Sequence, residues 1–233
     1  MSTPAPITQL GSTGGRDFVD GGAGTDTYVL NGAAGAETFT VYSRAAAVSA
    51  IAGLALGANT EIVIARNGAV IAELDNIEEI RINTLQVTSP GGAGGGTSGG
   101  DQIQVVGDFT GTSLNFSTIT IDGSAGDDTV DISGLASAHR IVFRSNGGND
   151  TIVGTLRPQD VIELPAGTAP ADYEITTDAN GVTTMTSQSH SICFTAGGHG
   201  MPQFGSGRPD DDDHHGGRDD DDDDACDRDD DDG

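Results

Sequence analysis

Residues 21–29 read Gly-Gly-Ala-Gly-Thr-Asp-Thr-Tyr-Val. They match every defined position of the nonapeptide G-G-x-G-x-D-x-U-x, where U is a large apolar residue: Gly21, Gly22, Gly24, Asp26, and Tyr28 at U. This spacing gathers the groups a hard divalent cation needs. Ca²⁺ takes about six to eight oxygen ligands. Glycine tolerates positive φ, so backbone carbonyls can converge on one point. The Asp, two residues after the last Gly, supplies charge, and the x-U-x triplet continues as a short strand that buries U. Turns stacked at a fixed period would place carbonyls and carboxylates of successive layers around one ion. Without the ion the carboxylates repel, so cation binding and folding are expected to be one coupled event.

The pattern recurs. Residues 12–20 keep Gly15, Asp17 and Val19, and residues 32–40 keep Gly32 and Gly35, with Glu37 in the acid slot and Phe39 as U. Residues 96–104 keep Gly99, Asp101 and Ile103; residues 123–131 keep Gly126, Asp128 and Val130; residues 145–153 keep Gly148, Asp150 and Ile152. From Asp101 to Asp128 is 27 residues, three times nine, and from Asp128 to Asp150 is 22, out of strict phase. The candidate metal ligands are therefore Gly22, Gly24, Asp26, Asp17, Glu37, Asp101, Gly126, Asp128, Gly148 and Asp150, with one to three complete sites expected.

Segments 12–40, 123–131 and 145–153 resemble haemolysin-type (repeats-in-toxin) calcium-binding repeats. That resemblance covers about a quarter of the chain. It implies a parallel β-roll, extracellular Ca²⁺ binding and a leaderless, type I-like export through a C-terminal signal. Asp26, Asp128 and Asp150 are carried over from it as carboxylate ligands. More loosely, 24–165, with its runs ELDNIEEIRIN and DFTGTSLNFSTITIDGSAGDDTVDISGL, resembles the repeat region downstream of the catalytic domain in some bacterial haem peroxidases of the animal type. It implies that the chain is the export and stability appendage of such an enzyme. Ile192-Cys-Phe-Thr-Ala-Gly197 resembles the start of hedgehog/intein-type self-splicing domains, but a low-complexity stretch follows it and no splicing is expected.

Composition agrees with cations as partners. The formal net charge of the 233 residues is −26, and all ten basic residues are Arg. Nucleic acid and anionic membrane surfaces need the opposite charge. The usual phosphate-binding loop needs a Lys, which the chain lacks. Trp is absent and aromatic residues are 4%, so small repeated layers are expected rather than one bulky core. No run is long enough for a transmembrane helix, and MSTPAPITQL has no basic or apolar leader region. Residues 210–232 hold fifteen Asp. This tail is expected to be disordered; read functionally, it would bind divalent cations or mineral weakly, as a surface or adhesin-type protein does, or take part in export.

Other candidates give no catalytic site. Gly96-Thr-Ser-Gly-Gly100 satisfies G-x-S-x-G but follows a Gly-rich loop and precedes an alternating strand, the wrong setting for a nucleophile elbow. His214-His215 would be a poorly organised metal site. His139, His190 and His199 are expected to be structural or exposed, Cys193 a buried thiol, and a Cys193–Cys226 disulfide is not expected. The chain is read as a non-enzyme.

The elements that must position the turns are strands. Alternation marks Thr38–Tyr42, Glu61–Ala65, Ile77–Leu85, Asn115–Ile121 and Arg140–Arg144. Ala45–Leu56 is open between a short helix and a loop. Asn180-Gly181 predicts a type I′ hairpin joining Tyr173–Thr177 to Val182–Thr186. The expected fold is all-β: a parallel β-roll or β-solenoid of short rungs, a C-terminal β-hairpin and a disordered acidic tail. Its segments are 1–90 (repeats and β-rich), 91–100 (Gly-rich connection), 101–200 (second β-rich repeat segment) and 201–233 (Asp-rich tail).

Overall fold

The structure, a computed structural model, describes residues 7–10, 15–33, 35–84, 99–114 and 119–206, with 7–10 and 206 known by backbone alone. The Asp-rich tail, His214-His215, Cys226, Gly96–Ser98 and most of the Gly-rich connection lie outside the described residues.

In chain order the described elements are β1 (Ile7–Leu10), β2 (Asp17–Asp20), β3 (Thr27–Asn31), β4 (Thr38–Ser43), α1 (Arg44–Ala50), β5 (Ile62–Arg66), β6 (Ala69–Asp75), β7 (Glu79–Asn83), β8 (Gln102–Val106) and β9 (Ile119–Asp122). They continue with β10 (Thr129–Asp131), β11 (Ile141–Arg144), β12 (Gly148–Leu156), β13 (Val161–Leu164), β14 (Glu174–Thr177), β15 (Val182–Thr186), β16 (His190–Ala196) and β17 (Gln203–Ser206). The described residues are all-β apart from the short helix α1 and one 3-10 turn at Pro170–Asp172. Two sheets share the strands: a seven-stranded sheet ordered β1-β3-β7-β9-β11-β13-β17 and a ten-stranded sheet ordered β14-β15-β16-β12-β10-β8-β4-β5-β6-β2. The first is parallel throughout. The second is mixed: β4, β8, β10, β12 and β16 run parallel, while β4-β5-β6 and β14-β15-β16 are antiparallel. From β7 to β13 the chain visits the two sheets alternately, one strand at a time.

The alternating sequence explains the packing. In the seven-stranded sheet Leu30, Ile82, Ile121, Phe143, Ile162 and Phe204 stand in register on neighbouring strands. In the ten-stranded sheet Phe39, Ile103, Val130 and Ile152 do the same. All but Phe204, which is partly buried, lie in one apolar core. Every U residue of the good repeats is thus a core residue, each stabilising by about 1.5–3 kcal/mol when fully buried. The intervening residues face outward. On the seven-stranded sheet one such row carries Asp122, which takes Arg81 on one side and Arg144 on the other, while Arg144 also holds Glu163 at 2.6 Å. Segments 1–90 and 101–200 interleave: β4 pairs β8 and β7 pairs β9, within the same core.

Three local expectations are resolved. Of Ala45–Leu56, only the first part is helical, in Arg44–Ala50, started by the Ser43 hydroxyl accepting from the Ala46 N–H. The hairpin forms as expected, with Glu174–Thr177 antiparallel to Val182–Thr186, but its turn is not type I′. Gly181 has φ +82° while Asn180 stays out of the left-handed region. The loop is four residues long, and Asp178 organises it by accepting from the N–H groups of Asn180 and Val182. Cys193 is not a core thiol. Ile192 and Phe194 point inward, so Cys193 points out, half-buried, 3.4 Å from the Thr184 hydroxyl.

Glycine permits the close stacking of the turns. A Cβ on Gly100 would stand 2.1 Å from the Asp127 carbonyl oxygen, and one on Gly148 the same distance from that of Gly126. Gly100→Ala is therefore expected to lower unfolding stability by about 1–3 kcal/mol. Gly111→Ala, where nothing lies within 4 Å, should stay within about 0.5 kcal/mol. Urea denaturation of both variants measures the difference.

Candidate functional site

An acid stands immediately before β4, β8 and β10 and at the third residue of β12, and the structure brings these four acids into one row. The Glu37 N–H donates to Asp101 Oδ1 at 2.7 Å, the Asp101 N–H to Asp128 Oδ1 at 2.8 Å, and the Asp128 N–H to Asp150 Oδ1 at 3.0 Å. The carboxylates of Asp101, Asp128 and Asp150 thus each receive the backbone of the acid one layer before. The second oxygen turns back into its own turn: Glu37 Oε2 accepts the Ala33 N–H at 2.6 Å, and Asp128 Oδ2 the Ser124 N–H at 2.6 Å. All four side chains are buried. The first glycine of the unit is needed here: a Cβ on Gly123 would meet Asp128 Oδ2 at 2.8 Å, and one on Gly32 would meet Glu37 Oε2 at 3.2 Å.

Asp26, from the best-matching repeat, is not in this row. Its turn enters β3, in the other sheet, where its N–H donates to Glu78 Oε2 at 2.7 Å. Asp26 is 6% exposed, and its Oδ2 is buried with no hydrogen-bond partner. The equivalent of the Ala33 and Ser124 N–H groups is Gly22, whose N–H donates instead to Asp20 Oδ1 at 3.0 Å. Gly22 and Gly24 lie exposed in this turn with φ +80° and +138°. Gly126 is buried and Gly148 half-buried in the stacked turns. Asp17 is separate, exposed on the edge strand β2 beside β6. Among the described residues Glu37 is the one row member with an Arg partner: Arg66 holds its Oε1 at 2.5–2.6 Å. Among the described residues no three of His, Cys, Asp and Glu gather in a way that could hold a metal.

The last turn differs from the others. Position 145, five before the acid, is Ser rather than Gly. The Ser145 hydroxyl donates to Asp150 Oδ2 at 2.5 Å and lies 2.7 Å from His190 Nε2. His190 Nδ1 lies 2.8 Å from the Tyr173 hydroxyl. All four residues are buried. The Asp hydrogen-bonds the Ser and stands 3.9 Å from the imidazole Nε2, too far to orient it by a hydrogen bond, and the hydroxyl is buried, so this Ser, His and Asp set lacks the geometry of a hydrolytic triad.

No family model, curated protein or solved structure matches this chain.

The electrostatics of the row follow from burial. Burial pushes the Asp150 carboxyl up to about 7, with the Asp128 and Asp127 charges adding to it against the hydrogen bonds from Ser145 and the Asp128 N–H. Burial likewise pushes Asp101 up to about 6 and raises Asp128. His190 is held below its ordinary value by burial.

Several site residues were not evident in the sequence. Glu78 and Asp160 act like the repeat acids, Asp160 accepting the Ile141 N–H at 2.9 Å, but neither follows a glycine-rich hexapeptide. The usable signal for Ser145 was its spacing, five residues before Asp150 as Gly123 is before Asp128. His190 and Tyr173 carry no repeat signal. His139 fits its structural reading, buried between Ser137 Oγ and the Leu114 carbonyl, and His199 is exposed.

Two outcomes follow. Asp101, Asp128 and Asp150 hold a proton more tightly folded than unfolded, so their contribution to stability is complete below the ordinary carboxylate value of 3.8 and is lost as pH rises through about 6 and about 7. His190 opposes this on the acid side. In chelator the melting temperature should accordingly rise as pH is lowered from about 8 to about 6, followed by circular dichroism. Asp128→Ala leaves the Asp101 and Ser124 N–H groups without acceptors and should cost about 1–3 kcal/mol for each, read by urea denaturation.

Proposed function

We propose that the chain is a non-catalytic, extracellular calcium-binding protein whose glycine-acid turns, wound as a β-roll, are stabilised by Ca²⁺. The observation that carries this reading is the buried, unpartnered Oδ2 of Asp26, in the turn that matches the nonapeptide at every position. A buried carboxylate oxygen without a donor is costly, and a hard cation removes the cost. The donor set there fits calcium: Asp26, Glu78 from the neighbouring turn, and the carbonyls of the Gly21–Thr25 turn would hold it. The interior of the row at Asp101, Asp128 and Asp150 fits less well, because N–H and O–H donors already engage those oxygens. Two carboxylates and a set of carbonyls make a weak site, about 10⁻⁴–10⁻³ M, the range of extracellular calcium modules. When bound, the ion supplies charge neutralisation and ties adjacent turns together; the chain supplies no reacting group.

The test is thermal unfolding at pH about 7.5 in EGTA and in Ca²⁺ up to tens of millimolar. At ten times the dissociation constant the ion adds about 1.4 kcal/mol, a rise of about 3–5 °C for a chain of this size. Asp26→Asn should abolish the rise and Asp131→Asn should leave it intact. An identical melting temperature in EGTA and in Ca²⁺ overturns the reading, as does a rise that survives Asp26→Asn.

A further inference from the structure

A cavity of about 590 Å³ opens beside α1, between the helix, the stretch just before β5 and the loop that follows β8. Its size falls within the range of about 300–1,000 Å³ usual for small-molecule sites. None of its lining residues is a candidate calcium ligand. Its walls are tied to one another by the fold. The Arg44 N–H donates to the Glu61 carbonyl at 2.9 Å, and the Glu61 N–H to the Leu74 carbonyl at 2.8 Å. Glu61 Oε2 in turn accepts the Ser113 N–H at 2.8 Å, which joins the second wall to the third. Gly107 brings that third wall onto the start of the helix: its φ is +117°, and a Cβ there would stand 2.1 Å from Ser43 Oγ.

The cavity holds opposite charges that do not pair. Arg44 lines it together with Glu61 and Asp108. Seven Arg lie among the described residues, and five of them, Arg16, Arg66, Arg81, Arg144 and Arg157, hold a carboxylate at ion-pair distance. Arg44 does not. Its Nη1 donates instead to the carbonyls of Gly57 and Thr60 at 2.7 and 2.8 Å. Those two bonds fix the guanidinium and leave its Nε–Nη2 edge without an acceptor among the described residues. That edge is the fork which matches a carboxylate. The acid it acts on electrostatically is Glu73, which Arg16 already holds at 2.8 Å. Glu61 is restrained separately, by the Ser113 N–H and hydroxyl, and Asp108 by the Thr110 N–H at 2.9 Å. Each carboxylate oxygen has two lone pairs, so both acids can still accept a further donor. Between the charges the helix presents Ala45 and Val48, and Val48 is 52% exposed.

We propose that this cavity is a binding site for small aliphatic zwitterions, molecules that join a primary ammonium to a carboxylate through a short apolar body. Arg44 takes the carboxylate on its Nε–Nη2 edge. Glu61 and Asp108 take the ammonium, and Ala45 and Val48 cover the apolar body. One cation facing two acids disfavours phosphates and other polyanions, and separated charges of both signs disfavour a purely apolar guest. Free amino acids and short peptides share this chemistry.

The experiment is a ¹H–¹⁵N NMR titration of the full chain in Ca²⁺-containing buffer at pH about 7, where both ends of each zwitterion are charged. The probes are valine, the dipeptide valylalanine, N-acetylvaline, which lacks the ammonium, and valinamide, which lacks the carboxylate. Valine or valylalanine should shift the amides of α1, 57–61 and 108–112 saturably, with a midpoint of about 1–10 mM, weak because the ion pairs are partly screened by solvent. The tighter of the two identifies the source as free amino acid or peptide. N-acetylvaline and valinamide should each bind about three- to fivefold more weakly, the value of one exposed ion pair. The double variant Glu61→Gln/Asp108→Asn keeps acceptors for Ser113 and Thr110. It should weaken valine by the same factor and leave N-acetylvaline unchanged. Absence of saturable shifts at these amides with both valine and valylalanine up to about 100 mM overturns the proposal. So does N-acetylvaline binding as tightly as valine, or a valine affinity unchanged in the double variant.

Discussion

The fold depends on a buried carboxylate accepting the backbone N–H of the acid one layer away. That single contact couples three requirements. The acid must sit at the start of its strand, immediately before it at Glu37, Asp101 and Asp128 and as its third residue at Asp150, so that its N–H and its side chain face along the stacking direction. The turn before it must approach its neighbour closely, which Gly99, Gly100 and Gly148 allow because a Cβ at any of them would overlap backbone of the adjacent turn. The residue two beyond the acid must point into the core, where Phe39, Ile103, Val130 and Ile152 stack in register. A G-x-x-G-x-D-x-U unit meets all three at once, so it recurs where strands of the ten-stranded sheet begin.

The same contact creates an electrostatic problem. A buried carboxylate that accepts an N–H from the layer before it and further N–H or O–H donors is well satisfied as a hydrogen-bond acceptor, yet its charge is still buried, and desolvation outweighs those bonds at Asp101, Asp128 and Asp150. The protein handles charge differently in its two outward and inward rows. On the outer face of the seven-stranded sheet, Asp122 and Glu163 are interleaved with Arg81 and Arg144. In the acid row only Glu37 has an Arg, and its longer side chain is what reaches Arg66 on β5. The shorter Asp side chains of the later layers meet donors but no cation. Burial without a neighbouring Arg is why these carboxyls are pushed up and hold a proton more readily than an exposed acid.

Much of this was legible in the residues. The acid slot and the U position picked out Glu37, Asp101, Asp128 and Asp150, but together with Asp26 and Asp17, and alternation located the strands around them. What the residues concealed was which units share a row. The best unit, 21–29, enters the seven-stranded sheet, whereas 32–40 enters the other, so Asp26 and Glu37 are close in sequence and belong to different ladders. Sequence phase cannot distinguish these, because the first three units alternate between the sheets while the last three all enter the ten-stranded one. Glu78 and Asp160 escaped notice because an acid can accept a neighbouring N–H without a glycine turn before it. His190 escaped because its role is set by β16 lying beside β12, a contact 45 residues apart in sequence.

The spacing of the row makes the same point physically. Its steps are 64, 27 and 22 residues, yet the three hydrogen bonds differ by at most 0.3 Å, from 2.7 to 3.0 Å. The first step carries α1, β5, β6 and β7, and the two later ones carry a single strand of the other sheet each. Constant geometry over such unequal lengths means that the repeat is a period in space and not in sequence. Loop-closure entropy grows only slowly with length, so an insertion that returns the acid to its place before the strand costs little. The nonapeptide phase is free to drift, while a substitution at the acid, at the glycine five before it or at U is not tolerated in the same way. Ser145 is the instructive exception: its side chain fits because the following layer offers an imidazole in place of another acid.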